Sequence, residues 1–157
     1  MTSAGFNRDV DAVMRWLEQE PELAHLPLAG LGFCFGGHLA WHLATRPELK
    51  ATASFYGARV SNFSPGGGAP TLQLAAAIPG RLLVWLGAED PLMPADEQQA
   101  ICAALQAADP TAERLQCRIA PEAGHGFMCS HRSDFHPEAA QRGWQSLLEL
   151  LGQVAEA

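Results

Sequence analysis

The stretch Leu28-Ala-Gly-Leu-Gly-Phe-Cys-Phe-Gly-Gly-His-Leu-Ala-Trp-His-Leu-Ala-Thr45 decides the fold. Its first six residues form an uncharged apolar run, which reads as a buried strand. Gly37 to Thr45 reads as a helix that stops before Pro47. Between them, Gly32-Phe-Cys34-Phe-Gly36-Gly37 sets a thiol among glycines. A strand that turns sharply into a helix leaves little room for side chains beside the turn, and the residue at its apex takes a strained backbone. The pattern Gly-x-nucleophile-x-Gly at such a turn is a nucleophile elbow. The helix that follows points its N-terminal N–H groups and positive dipole end at Cys34, which favours negative charge on the sulfur. The Phe35 N–H is placed to donate to a developing oxyanion. The plainer alternative is a buried structural cysteine.

Strands and helices alternate on both sides of this unit. Arg8 to Glu20 carries Val10, Val13, Met14 and Leu17 at helical spacing and is limited by Pro21. Further strands are expected at Ala51 to Tyr56, Arg81 to Leu86 and Leu115 to Ile119. Further helices are expected at Leu72 to Ile78, Pro94 to Ala108 and Pro137 to Val154. The last of these sets Trp144, Leu147, Leu148, Leu151 and Val154 along one stripe. The alternation predicts an α/β fold in one domain spanning 1–157, with a mostly parallel sheet of about four strands flanked by helices. Ligands in such sheets sit at the carboxyl ends of the strands. Ser61 to Pro70, with Pro65, Gly66, Gly67 and Gly68, is the flexible loop, either a lid or a surface excursion.

Two further strand ends carry chemistry. Gly87-Ala-Glu-Asp90-Pro91 places a carboxylate in the turn after the third strand, with an Asx turn as its plain role. Glu89 is a rival acid expected to point away. Gly124-His125-Gly126-Phe127 follows the fourth strand, and its glycines let a loop bring an imidazole over the sheet edge. Nucleophile, acid and histidine thus occur as Cys34, Asp90, His125, the chain order of an α/β-hydrolase triad. In that reading His125 takes the proton from Cys34, and Asp90 fixes the tautomer of His125.

Composition narrows the alternatives. Hydrophobic residues make up 48% of the 157, enough to fill one core. A net charge of -7 argues against nucleic acid and against an anionic membrane surface. No apolar stretch suggests a signal peptide or a membrane span, and the four cysteines form no C-x-x-C motif. Reduced thiols and a cytoplasmic setting are the expectation. His125, Cys129, His131 and His136 lie close enough in sequence to consider zinc, but the spacing matches no standard site, and no metal is expected. His25, His38 and His42 read as surface or helix residues, with His38 pointing away from the thiol.

Gly32-Phe-Cys-Phe-Gly-Gly37, Phe55-Tyr-Gly57, Gly87-Ala-Glu-Asp-Pro91 with Pro94, and Gly124-His-Gly-Phe127 resemble, in order, the motifs of the dienelactone hydrolase family. The closing Pro137-Glu-Ala-Ala140 and Trp144 fit as well. The resemblance runs through nearly the whole chain. It implies hydrolysis of a small-molecule ester or lactone through a cysteinyl acyl-enzyme, with no cofactor. Phe33, Tyr56 and Phe127, next to the strand ends, are the candidate substrate contacts. Family members carry several more strands before the opening helix. These supply a second oxyanion donor, a glutamate that bears on the cysteine and an arginine for a substrate carboxylate, none of which has a counterpart here. The alternative function is a catalytically weak remnant that serves as a binding module or subunit. The strand Leu28 to Phe33 would then lie at a sheet edge, covered by a second copy, by a partner subunit or by the opening helix.

Overall fold

The structure, a computed structural model, describes residues 1–155. Four parallel strands form one sheet in the order of the chain: β1 (Leu28–Phe33), β2 (Leu49–Phe55), β3 (Arg81–Gly87) and β4 (Leu115–Ala120). Right-handed crossovers that all step the same way put their connectors on one face. That face holds α2 (Phe35–Ala44), a 3-10 turn at Thr71–Ala77 and α3 (Ala95–Ala108). The chain leaves β4 and returns across the opposite face as α4 (Pro137–Ala155). Strand alternation divides the core accordingly. Leu82, Val84 and Leu86 pack with Trp41, Ile101 and Leu105, while Leu83 and Trp85 pack with Phe55, Leu147 and Leu150.

The elements match the expected ones in kind, with shifted ends. Helix α1 (Ser3–Gln19) begins several residues early because the Thr2 hydroxyl caps it, accepting the Gly5 N–H at 3.0 Å. Only Val10 of its apolar stripe is buried, and Val13 is half exposed.

Helix α4 departs more from expectation. It turns Ala139, Ala140, Gly143, Leu147, Leu150 and Val154 inward, leaving Trp144, Leu148 and Leu151 exposed. The cause is close packing. A Cβ at Gly143 would lie 3.0 Å from the Met128 sulfur and 3.2 Å from the Phe55 ring. The helix therefore approaches the sheet through its small residues, and the larger ones rotate outward.

Two other expectations are corrected. Strand β1 lies at the sheet edge, as the family resemblance implied, but it is half exposed and not the buried strand its apolar run suggests, with Leu31 45% exposed. Helix α1 packs on α2 and does not close that edge. The thiols are not all reduced: Cys102 on α3 and Cys117 on β4 form a disulfide with a Cα–Cα separation of 5.3 Å. Packing α3 against the edge strand β4 juxtaposes them, which their separation in sequence does not announce. The bond removes cysteine usage as support for a reducing compartment. Among the described residues no helix is long and apolar enough to cross a membrane.

Candidate active site

Cys34 stands at the carboxyl end of β1 with φ 54° and ψ -120°, in the left-handed half of backbone space. Such a conformation persists only where its surroundings determine it. Its own N–H donates to Phe55 O at 3.0 Å, which carries the β1–β2 pairing one residue further. A Cβ at Gly32 would overlap the Gly36 carbonyl, and one at Gly37 would lie 2.5 Å from Phe55 O. The Ser54 hydroxyl donates to Gly37 O at 2.8 Å and ties the start of α2 to β2. Gly36 differs from both: a Cβ there meets nothing within 4 Å. The elbow is therefore pinned at Gly32 and Gly37, not at every glycine near the thiol. The amides of Phe35 and Gly36 lie in the first turn of α2, where no intrahelical acceptor exists.

The acid and the histidine are carried by two turns joined to each other. Glu89 N–H donates to Ala123 O at 2.9 Å, and Ala88 N–H to Ala120 O at 2.9 Å. Gly87 permits this approach, since a Cβ there would overlap the Ala123 carbonyl. Gln98 is buried on α3, and its amide N–H groups donate to Met93 O at 2.8 Å and Gly87 O at 3.1 Å. This bracing of the Asp90 turn has no signature in the sequence, where Gln98 reads as one more polar helix residue.

The three side chains meet. Asp90 Oδ2 accepts from His125 Nδ1 at 2.8 Å, and His125 Nε2 lies 3.0 Å from Cys34 Sγ. The carboxylate fixes the imidazole proton on Nδ1, so Nε2 presents a lone pair to the thiol. Asp90 Oδ1 also accepts the Leu92 N–H at 2.8 Å, so the Asx-turn role and the partner role coexist in one side chain. Asp90 and His125 are buried and Cys34 is exposed, so the thiol is open to a ligand while its partners are shielded.

Tyr56 has a positive φ of 42° and packs edge-to-face on His125, with centroids 5.3 Å apart. Burial, reinforced by the nearby sulfurs of Cys129 and Cys34, pushes its phenol up to about 12. Tyr56 therefore keeps its proton, so it can donate a hydrogen bond but does not act as a base. Phe33 is half-buried among Phe55, Tyr56 and Trp144. Phe127 is corrected. It is fully buried beneath Tyr56, so it supports that ring and cannot touch a ligand. The Phe35 side chain is half exposed beside the thiol.

Arg132 was not anticipated. It lies over Gly126, whose φ of +80° and missing side chain make room: a Cβ there would be 2.5 Å from Arg132 Nε. Arg132 Nε and Nη2 contact Asp134 at 2.9 and 3.2 Å, and this pairing holds the Asp134 carboxyl below the usual range. The cation is near enough to Cys34 and Cys129 to be influenced by their charge. His38 and His42 prove to be buried helix residues, not surface ones, and His38 faces Ala58 and Thr71. His136 Nδ1 accepts the Ala139 N–H at the start of α4, and exposed His131 lies by Ser130. Among the described residues no three potential metal ligands gather.

Comparison with known proteins identifies the family. Residues 2–155 match the dienelactone hydrolase family. A Synechocystis protein named as a carboxymethylenebutenolidase is 33% identical over 151 residues, covering 95% of this chain and 59% of its own length. One of the same name from Salmonella typhimurium is 32% identical, covering 92% of this chain and 53% of its own. The crystal structure of a protein named as a dienelactone hydrolase from Klebsiella pneumoniae superposes with a TM-score of 0.85 at 31% identity, over 97% of this chain and 62% of that one. The chain thus spans a little over half the length of the curated relatives it matches. With its elbow, its strand-end acid and histidine, and a match over nearly all its residues, this chain belongs to the dienelactone hydrolase family.

Proposed function

We propose that this chain hydrolyses a small ester or lactone by acyl transfer to Cys34, with His125 as general base and acid and Asp90 as its orienting partner. The observation that carries this reading is the unbroken path from Asp90 Oδ2 through both His125 nitrogens to Cys34 Sγ. His125 Nε2 takes the thiol proton as Sγ attacks the carbonyl carbon. The oxyanion is met by the Phe35 N–H at the positive end of α2. The tetrahedral adduct collapses, the C–O bond breaks, and His125 returns its proton to the leaving alkoxide. Water then attacks the thioester with His125 again as base, and Sγ departs with the carboxylic acid as product. No cofactor enters any step.

The surroundings favour a neutral substrate. Arg132 is the cation near the thiol, and Asp134 already takes two of its nitrogens. The protein's net charge of -7 further disfavours an anion. The test is a panel of short neutral aryl esters and lactones, set beside carboxylate-bearing lactones, with wild type and Cys34→Ala. The expected result is hydrolysis of neutral esters by wild type only, with a mass adduct at Cys34 when a slow ester is used. No turnover by either protein would favour the binding-module reading.

The same reading gives the exposed edge a role. Ala29 and Leu31 of β1 lie exposed, and so do Trp144, Leu148 and Leu151 of α4. A free strand edge and apolar side chains of this kind associate in water. Symmetric pairing of β1 with its copy would cover both. Light scattering at low micromolar concentration is expected to show a dimer that Leu31→Lys with Leu148→Glu converts to monomer. A stable, active wild-type monomer would remove the dimer from this account.

A further inference from the structure

The mechanism makes no use of a buried histidine one helical turn beyond the thiol. His38 is 2% exposed, and its backbone N–H donates to Cys34 O at 3.1 Å. Its Nδ1 lies 2.8 Å from Ala58 O, and its Nε2 lies 2.8 Å from Thr71 Oγ1. Ala58 and Thr71 bracket the glycine-rich segment that joins β2 to the 3-10 turn. One side chain therefore holds both ends of that segment.

The proton arrangement follows from the partners. A carbonyl only accepts, so His38 carries its proton on Nδ1 and donates to Ala58 O. Its Nε2 then accepts from the Thr71 hydroxyl. His42 Nε2 lies 3.2 Å from the same Thr71 oxygen and completes the set as a donor to it. A second proton, on His38 Nε2, breaks this order. Thr71 Oγ1 would face two donors, and its own hydrogen would lose its acceptor in a buried site.

The segment is also held between its ends. Buried Glu97 on α3 accepts the Ser61 N–H at 3.3 Å, and Pro65 O accepts the Ser3 N–H at 2.7 Å. Phe63 of the segment lies 5.7 Å from the His38 ring, and Arg59 sits over Phe63. Phe35, next to Cys34, lies 6.4 Å from the same ring on helix α2. Phe63 and Phe35 thus both flank His38, which relates the segment to the residue next to the thiol.

We infer that His38 is a positioning residue that holds the segment Ala58–Pro70 against α2 behind the thiol, and that its protonation releases this segment. The charged and titratable groups facing it are His42 on its own helix, Arg59 on the segment and Glu97 on α3. Burial is the leading influence on both histidines and holds them below their ordinary range. The Ala58 carbonyl and Glu97 oppose it at His38, and Arg59 reinforces it. When the segment opens, the histidines return to ordinary values near about 6.5. The closed form is therefore fully favoured above that range. Its advantage falls as pH drops through the range, because the open form takes up protons the closed form refuses. The segment's release does not depend on hydrolysis; its effect on substrate entry rests on the proposed esterase reading.

Hydrogen exchange of the full chain, corrected for intrinsic rates, tests this without substrate. Exchange in 58–71 is expected to quicken at least several-fold from pH 6.5 to 5.5, with a limit of roughly tenfold for each proton taken up per opening. Peptides from β2 and β3 are expected to stay flat. His38→Asn keeps a donor for Ala58 O but cannot titrate, and is expected to remove the His38 share of the dependence, leaving a shallower slope from His42. A flat wild-type profile, or the same slope in His38→Asn, would overturn the inference. Proton NMR covers a variant that fails to fold: His38 is expected to titrate below the ordinary imidazole value of about 6.5, and a midpoint at or above it overturns the proposal. In active protein, KM for a neutral ester is expected to rise toward pH 5.5 in wild type and less steeply in His38→Asn. Parallel changes in the two would overturn the link between the segment and substrate binding.

Discussion

His125→Ala is expected to lower kcat/KM for a neutral aryl ester by about 10² to 10⁴-fold, the usual contribution of a positioned acid–base group. The imidazole has two tasks in the proposed cycle, deprotonating Cys34 and protonating the leaving alkoxide. Loss of the ring removes both, while the thiol, α2 and the Phe35 amide remain. Asp90→Asn is expected to act differently. An asparagine turned to donate its amide to Nδ1 would move the ring proton to Nε2, which leaves no lone pair for Cys34. The backbone turn is expected to survive, because the asparagine carbonyl oxygen can still accept the Leu92 N–H that Asp90 Oδ1 holds. Circular dichroism should therefore match wild type while the rate falls. Both variants are also expected to slow alkylation of Cys34 at neutral pH relative to Cys129. Unchanged rates and alkylation in both would leave the hydrogen-bonded path without a catalytic role.

Legibility in the sequence tracks how local each determinant is. The elbow, the Asp90 turn and the His125 turn are each specified within about six residues, by glycines and by Asp-Pro, so their positions could be read. Their order then sufficed to predict that they meet, as Asp90, His125 and Cys34 do. The features that escaped reading depend on contacts between distant segments. The orientation of α4 follows from Gly143 against Met128 and Phe55. The disulfide follows from α3 lying on β4. Phe127 sits in a motif beside the histidine, yet the fold turns it fully into the core. His38 and Arg132 are the clearest cases. One is a helix residue whose partners lie 20 and 33 positions away. The other is a loop cation placed by the glycine that frees space beneath it.

The second large effect is expected at Gly32, and its contrast with Gly36 separates fold from pattern. Both glycines belong to the elbow signature, and by sequence alone both look obligatory. In the structure only one is. A Cβ on Gly32 would overlap the Gly36 carbonyl and come within 2.8 Å of Gly37 N. These are backbone atoms of the turn itself, so no side-chain movement relieves the clash. Relief requires α2 to move away from β1, which would also disturb Gly37 against Phe55 O and the Cys34 conformation. Gly32→Ala is therefore expected to cost about 4 kcal/mol or more, in the exceptional range for single substitutions. In a domain of this size that lowers Tm by roughly 10 °C or more. A Cβ on Gly36 meets nothing within 4 Å, and its backbone is helical. Alanine is the better helix former, by about 1 kcal/mol, so Gly36→Ala is expected to leave Tm unchanged or raise it slightly. Thermal denaturation followed by circular dichroism measures both. Equal losses at the two positions would show that the turn tolerates no side chain anywhere beside the thiol. Ester hydrolysis by a fully folded Gly36→Ala then reads what Gly36 does apart from folding: a lost rate would assign it to clearance for ligand at Cys34, and a retained rate would leave Gly32 and Gly37 as the glycines on which the elbow depends.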